Sequence, residues 1–148
     1  MQRIHLKRTS RILAGHLWIF SNELAASPKD YEPGSLVEVY DNRDGFLGIG
    51  YINPHSLIAV RLLTREREEV GPDFIRRRVK DALEYRKEIV SGKDSFRVIF
   101  SEGDFLPGLI VDKYDSCLVI QFLTMGIERM GEMILNVLDE IFAPSVMV

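Results

Sequence analysis

The chain has 148 residues, 46% apolar and 28% charged, the balance of a soluble globular protein of one ordinary domain or two small ones rather than a disordered or fibrous chain. No apolar run approaches the roughly 20 residues that span a bilayer. Met1 to Arg11 lacks the apolar stretch of a secretion signal, so the cytoplasm is the expected compartment and no membrane partner is expected. Cys117 is the single cysteine and His5, His16 and His55 are dispersed, which excludes an internal disulfide and gives no metal-ligand spacing.

Charge is distributed unevenly about the formal net of -3. Residues 1–93 hold 16 Lys+Arg against 13 Asp+Glu, whereas residues 94–148 hold 3 against 9. An electrostatic footprint for nucleic acid therefore belongs to the first part. It is sharpest in the first sixteen residues, where Arg3, Lys7, Arg8 and Arg11 stand without any acid.

In chain order, Arg3 to Lys7 alternates like a short strand, and Thr9 or Ser10 is placed to cap a short helix through Ala14 that Gly15 ends. Leu17 to Phe20 is strand-like. Ala25 to Gly34, with Pro28 and Pro33, is a surface loop. Three strands then crowd together at Leu36 to Tyr40, Phe46 to Tyr51 and Leu57 to Leu63. The turns between them are Asp41-Asn42-Arg43-Asp44-Gly45 and Asn53-Pro54-His55-Ser56, and such short, closely spaced strands suggest a small barrel.

The character changes at Arg65 to Gly71, where a domain boundary is expected, with residues 1–68 and 69–148 as the two parts. Pro72 suits the first position of a helix, and the apolar period through Val90 is near 3.6. Strands are expected at Phe96 to Phe100, Leu109 to Tyr114 and Leu118 to Leu123. An amphipathic helix from Ile127 to Ile141 follows, and Pro144 breaks it. Val146-Met147-Val148 is strand-like and unterminated, from which we expect the natural protein to extend further. The fold class expected is α+β, a small β pseudo-barrel followed by a mixed β/α domain of EEHEE type truncated at its last strand.

Three stretches carry a resemblance. They are Leu6-Lys7-Arg8 with Gly15-His16-Leu17-Trp18-Ile19-Phe20-Ser21-Asn22-Glu23, then Gly48-Ile49-Gly50-Tyr51-Ile52-Asn53-Pro54-His55-Ser56 through Arg61, and Ser101-Glu102-Gly103-Asp104-Phe105-Leu106-Pro107-Gly108 through Tyr114. In this order they resemble bacterial class I, S-adenosylmethionine-dependent methyltransferases of large-subunit (23S) ribosomal RNA that modify cytosine at C5. The resemblance implies a PUA domain gripping RNA, a central β/α domain, and a Rossmann-like catalytic domain that these residues do not contain. It also implies S-adenosylmethionine for the parent protein and none in this chain, because no glycine-rich strand-to-helix loop is present. The chemistry implied for the parent is cysteine attack at C6 of cytosine, which makes C5 nucleophilic towards the methyl donor.

Lys7, Arg8 and Arg11 are either a solvated basic face or phosphate contacts, and their clustering beside Trp18 and Phe20 favours phosphate. Alternation leaves one pair of Leu17–Phe20 buried, so at least one aromatic is expected in the core while an exposed one would stack on a base. His16 is open between a turn hydrogen bond and RNA. Asn53, His55 and Ser56 suit turn chemistry, and Arg61 is the preferred second phosphate contact. Arg76, Arg77 and Arg78 fan out around a helix, leaving at most one of them, with Lys80, to extend the footprint. Glu102 and Asp104 suit a turn, and under the resemblance Glu102, Asp104 and Asp112 would organise an interdomain contact or a substrate rim. Cys117 is expected to be a buried structural thiol.

Function is therefore expected to be RNA recognition on behalf of a ribosomal RNA methyltransferase, the chain being inactive alone. A stand-alone RNA-binding module is the alternative. A protein-binding scaffold acting through the acidic second half is a weaker third possibility.

Overall fold

Alternating apolar positions in the first half produce five strands and one short helix: β1 (Gln2–His5), α1 (Ser10–Leu13), β2 (Trp18–Phe20), β3 (Leu36–Tyr40), β4 (Phe46–Ile52) and β5 (Ile58–Thr64). In the computed structural model, which describes residues 1–148, these elements belong to a compact unit, Met1–Glu68. A second unit spans Glu69–Val148.

The first unit is one five-stranded sheet in the order β1-β3-β4-β5-β2. β1 runs parallel to β3 and the other pairs are antiparallel. The two edge strands are brought together where Leu6 bridges Leu24, just after β2, with Lys7 N–H donating to the Glu23 carbonyl and Ala25 N–H to the His5 carbonyl at 2.9 and 2.8 Å. That closure makes the sheet a pseudo-barrel. It encloses Ile4, Leu6, Ile12, Ile19, Leu24, Val37, Val39, Ile52, Ala59, Val60 and Leu62. Burying each large aliphatic side chain contributes about 1.5–3 kcal/mol.

Two glycines let β4 lie close against β5. A Cβ on Gly48 (φ +156°) would sit 2.4 Å from the Thr64 carbonyl oxygen, and one on Gly50 would sit 2.3 Å from that of Arg61. Thr9 takes the N-cap position of α1 but forms no side-chain cap, unlike the expectation. The single helical turn is held instead by the Leu13 N–H to Thr9 carbonyl bond and by the complete burial of Ile12.

The second unit begins with α2 (Pro72–Ile89), whose proline occupies the first helical turn and whose Phe74, Ile75, Val79 and Ala82 are buried. β6 (Ser95–Phe100), β7 (Leu109–Tyr114), β8 (Cys117–Phe122) and β9 (Val146–Met147) form a sheet in that order, and α2 packs on β6 and on α4 (Gly131–Phe142). The run β7, β8, α4, β9 is the strand-strand-helix-strand core of the expected β/α domain, with α2 and β6 preceding it. Val146–Met147 pairs parallel to β8. The helix expected over Ile127 to Ile141 is divided into α3 (Met125–Arg129) and α4. Met130 breaks it at φ -89°, ψ 4°, its N–H reaching only back to the Ile127 carbonyl. No helix is long and apolar enough to cross a membrane.

Candidate nucleic-acid interface

β2 carries the centre of the candidate site in the first unit. Ile19 is fully buried, so period two turns Trp18 and Phe20 outward. This corrects the expectation of a core aromatic: Trp18 is 36% exposed and Phe20 half-buried, and the inward neighbour is Ile19 with Leu17 packed partly against the core.

Each outward aromatic is matched with an arginine. Trp18 pairs in register with Arg61 of β5, whose guanidinium carbon lies 5.9 Å from the ring centroid. The Arg11 guanidinium lies 4.9 Å from the Phe20 centroid. An arginine stacked on a ring keeps its in-plane N–H groups available to phosphate oxygens.

Phe20 also lines a groove of about 440 Å3 with Arg8, Ser10, Arg11, Ser21, Asn22, Glu23 and Leu57. The floor is acidic: the Glu23 side chain is 6% exposed, accepts the Phe20 N–H at 2.7 Å and comes within 4.0 Å of Arg11 Nε. Arg11 Nε is buried and makes no hydrogen bond. Glu23 thus draws the Arg11 stem inward without a close ion pair. Lys7 and Arg8 are exposed and make no ion pair.

The structure therefore brings Arg8 and Arg11 together at the groove. It sets Arg61 and Trp18 further along the outer face of β2 and β5, and leaves Lys7 on the segment leaving β1. The His16 ring is exposed, and its carbonyl accepts from the Arg65 guanidinium at 3.1 Å. Asn53 and Ser56 perform turn chemistry, Asn53 Oδ1 accepting the His55 N–H and Ser56 Oγ the Ile58 N–H.

Sequence reasoning missed Asn22 and Leu57 as groove residues, although Leu57 is 78% exposed. Sequence reasoning starts a strand at Leu57, whereas β5 begins at Ile58 and Leu57 belongs to the end of the preceding turn. It also missed a second cluster, in which Arg3 and Arg67 lie over Tyr40, Arg67 over Phe46, and His5 stacks on Tyr40. That cluster is balanced by Glu38, 3.5 Å from Arg3, and by Asp44, 2.8 Å from His5, so it offers less unpaired positive charge than the β2 face.

In the second unit the arginines meet carboxylates instead. Arg86 holds Asp104 at 3.1 and 2.6 Å, with both side chains largely buried. Arg97 holds Asp112 across the β6–β7 pair at 2.7 and 3.1 Å, and this hydrogen bonding raises the Arg97 pKa above its ordinary value. Arg76 is bound by Asp73 and by Glu140, the latter chiefly raising its pKa. Asp104 and Asp112 are thus occupied inside their own unit. Glu102 lies in the short 3-10 turn Ser101–Asp104. Cys117 is half-buried on β8 rather than fully buried.

No set of three or more metal-ligating side chains converges. The residues do not fit a methyl donor either: Gly48-Ile49-Gly50 is a strand segment pressed on β5, not a loop entering a helix.

Residues 3–65 match the model of a PUA-like domain. The chain is 34% identical over 134 residues to ribosomal RNA large subunit methyltransferase I of Pseudoalteromonas atlantica, covering 88% of this chain and 34% of that protein. It is 33% identical over 115 residues to a candidate ribosomal RNA large subunit methyltransferase of Methanocaldococcus jannaschii, covering 78% and 29%. A methyltransferase candidate solved in complex with SAH superposes with a TM-score of 0.84 at 15% identity, covering 97% of this chain and 38% of that one, a likeness of fold. The chain spans about a third of the length of the curated relatives it matches. It carries a PUA-like domain over residues 3–65 and is homologous to ribosomal RNA large subunit methyltransferases.

Proposed function

We propose that this chain is the RNA-recognising portion of an S-adenosylmethionine-dependent methyltransferase acting at cytosine C5 of large-subunit ribosomal RNA in the cytoplasm. In this reading residues 1–68 bind RNA, residues 69–148 form a central domain, and a catalytic domain of the parent protein supplies the methyl donor site and the nucleophile.

The observation that carries it is the outer face of β2, where two outward aromatics are each overlaid by an arginine next to the unpaired Lys7 and Arg8. Cations set beside rings suit single-stranded RNA: the backbone meets the charges and an unstacked base meets the ring. In this chain's own share of the reaction, Arg8, Arg11 and Arg61 bind and orient RNA backbone, and Trp18 takes a base face. No residue described here moves a proton or forms a bond to substrate. The net charge of -3 does not oppose this, because residues 1–93 hold 16 Lys+Arg against 13 Asp+Glu and the excess of acid comes from residues 94–148, with 9 against 3.

The test is salt-dependent binding of the chain to large-subunit ribosomal RNA fragments, with duplex DNA as competitor. Replacing Lys7, Arg8 and Arg11 by Ala is expected to lower the slope of log affinity against log salt by about 2, each phosphate contact in single strands contributing roughly 0.7. A slope equal to that of the wild type would overturn the assignment of these three residues.

A further inference from the structure

A cavity of about 330 Å3 opens in the second unit, far in sequence from the basic face, between α2 and the turn that follows β6. Its walls are Arg78, Asp81, Ala82 and Tyr85 from the helix and Gly103 to Phe105 from the turn. Two of the wall aromatics are exposed, Tyr85 at 55% and Phe105 at 52%.

Phe105 is held in a left-handed backbone conformation, φ +58°, which a bulky side chain adopts only when its surroundings impose it. Those surroundings are built. Asp104 is gripped by Arg86 and accepts the Phe100 N–H at 2.6 Å, Arg86 also donates to the Arg97 carbonyl at 2.9 Å, and the Phe105 and Leu106 N–H groups close the turn onto Glu102 and Ser101. A buried ion pair therefore fixes the backbone that points a phenyl ring towards solvent. Core packing gives no reason for it, because half of the ring remains exposed. The Arg78 guanidinium lies 5.3 Å from the Phe105 centroid, and Asp81 is exposed and unpaired at the rim.

We propose that this pocket holds one unpaired nucleobase of the RNA, its face on Phe105, with Tyr85 flanking it. The volume admits one heterocycle. Donor and acceptor groups at the rim, Arg78 and Asp81, match a neutral ring bearing both, whereas an anionic or cationic ligand would be repelled by one of them. Exposed rings accept any base face. This inference rests on the reading of the chain as RNA-facing and adds a second contact point, on the other unit.

The experiment uses the 148-residue chain and the neutral nucleoside 2-aminopurine riboside, whose fluorescence falls on stacking. Wild type is expected to quench it saturably. Phe105→Leu and Tyr85→Leu are each expected to weaken the interaction roughly tenfold, as loss of a base–aromatic stack does, while the Lys7, Arg8 and Arg11 to Ala variant quenches as wild type. Thermal unfolding checks that the leucine variants fold; if Phe105→Leu does not, Tyr85→Leu on the helix surface decides. No saturable quenching by wild type, or quenching by both leucine variants with the wild-type affinity, overturns the pocket. Quenching without salt-dependent RNA binding would sink the basic-face reading and leave the pocket standing; salt-dependent binding without quenching would do the reverse.

Discussion

Arginine serves two different ends in the two units. On β2's outer face Arg61 lies over Trp18 and Arg11 over Phe20, rings that fix the plane of the guanidinium without neutralising its charge, and the one carboxylate near them, Glu23, stands 4.0 Å from Arg11 Nε with no hydrogen bond to it. In the second unit Arg86 and Arg97 are locked to Asp104 and Asp112 by paired hydrogen bonds. A ring partner leaves a cation able to bind phosphate, whereas a carboxylate partner uses it up and turns it into a fastener. Composition alone does not separate the two uses. Partner and burial do.

The strongest way to break this comparison is to remove a fastener. Asp104→Ala strands Arg86, whose side chain is only 12% exposed, and leaves the Phe100 N–H without its acceptor. Breaking a buried pair in this manner costs about 3–5 kcal/mol. Urea unfolding followed by circular dichroism should show the loss, with Trp18, the sole tryptophan and a reporter of the first unit, moving less. The double variant Arg86→Leu with Asp104→Leu should recover part of it, because no charge is then left buried alone. An Asp104→Ala midpoint at the wild-type position would mean that the pair fastens nothing.

A smaller effect is expected where the ring is the partner. Arg61→Lys keeps the charge and loses the planar guanidinium over Trp18. RNA affinity should fall by about two- to fivefold, the equivalent of roughly 0.5–1 kcal/mol for an exposed cation–π contact, with an unchanged salt slope. Titration of Trp18 emission with a single-stranded RNA fragment measures both quantities. Wild-type affinity in Arg61→Lys would show that Arg61 acts as a point charge alone.

Much of this organisation was legible wherever it depends on local chemistry. Pro72 with a 3.6-residue apolar period announced α2, and Asp41 to Gly45 announced the β3–β4 turn. The basic start of the chain announced the charged face. What escaped depends on contacts distant in sequence or on backbone detail. Arg86 and Asp104 are 18 residues apart, and nothing in either segment names the other. Met130 divides a helix whose apolar period runs on unbroken through it. The burial of Ile19, which turns both aromatics outward, follows from how β2 joins β5, because a short alternating strand is equally consistent with either face inward.

The mildest test concerns a carboxylate held by neither arginine nor ring. Asp41 accepts the Arg43 and Gly45 N–H groups at 2.8 and 2.7 Å, and these bonds, that from Gly45 first, lower its pKa below the ordinary 3.8. Because the folded-state value is depressed, the stabilisation is fully present above 3.8 and is lost as pH falls through the folded value. Asp41→Asn retains an oxygen acceptor but cannot titrate. The difference in melting temperature between wild type and Asp41→Asn should therefore be constant near neutral pH and shrink once the pH passes below 3.8. A difference that stays constant into acid would mean that the turn gains nothing from the charge and rests on geometry alone. Asp41 would then stand apart from Asp104 and Asp112, each of which grips an arginine through two hydrogen bonds.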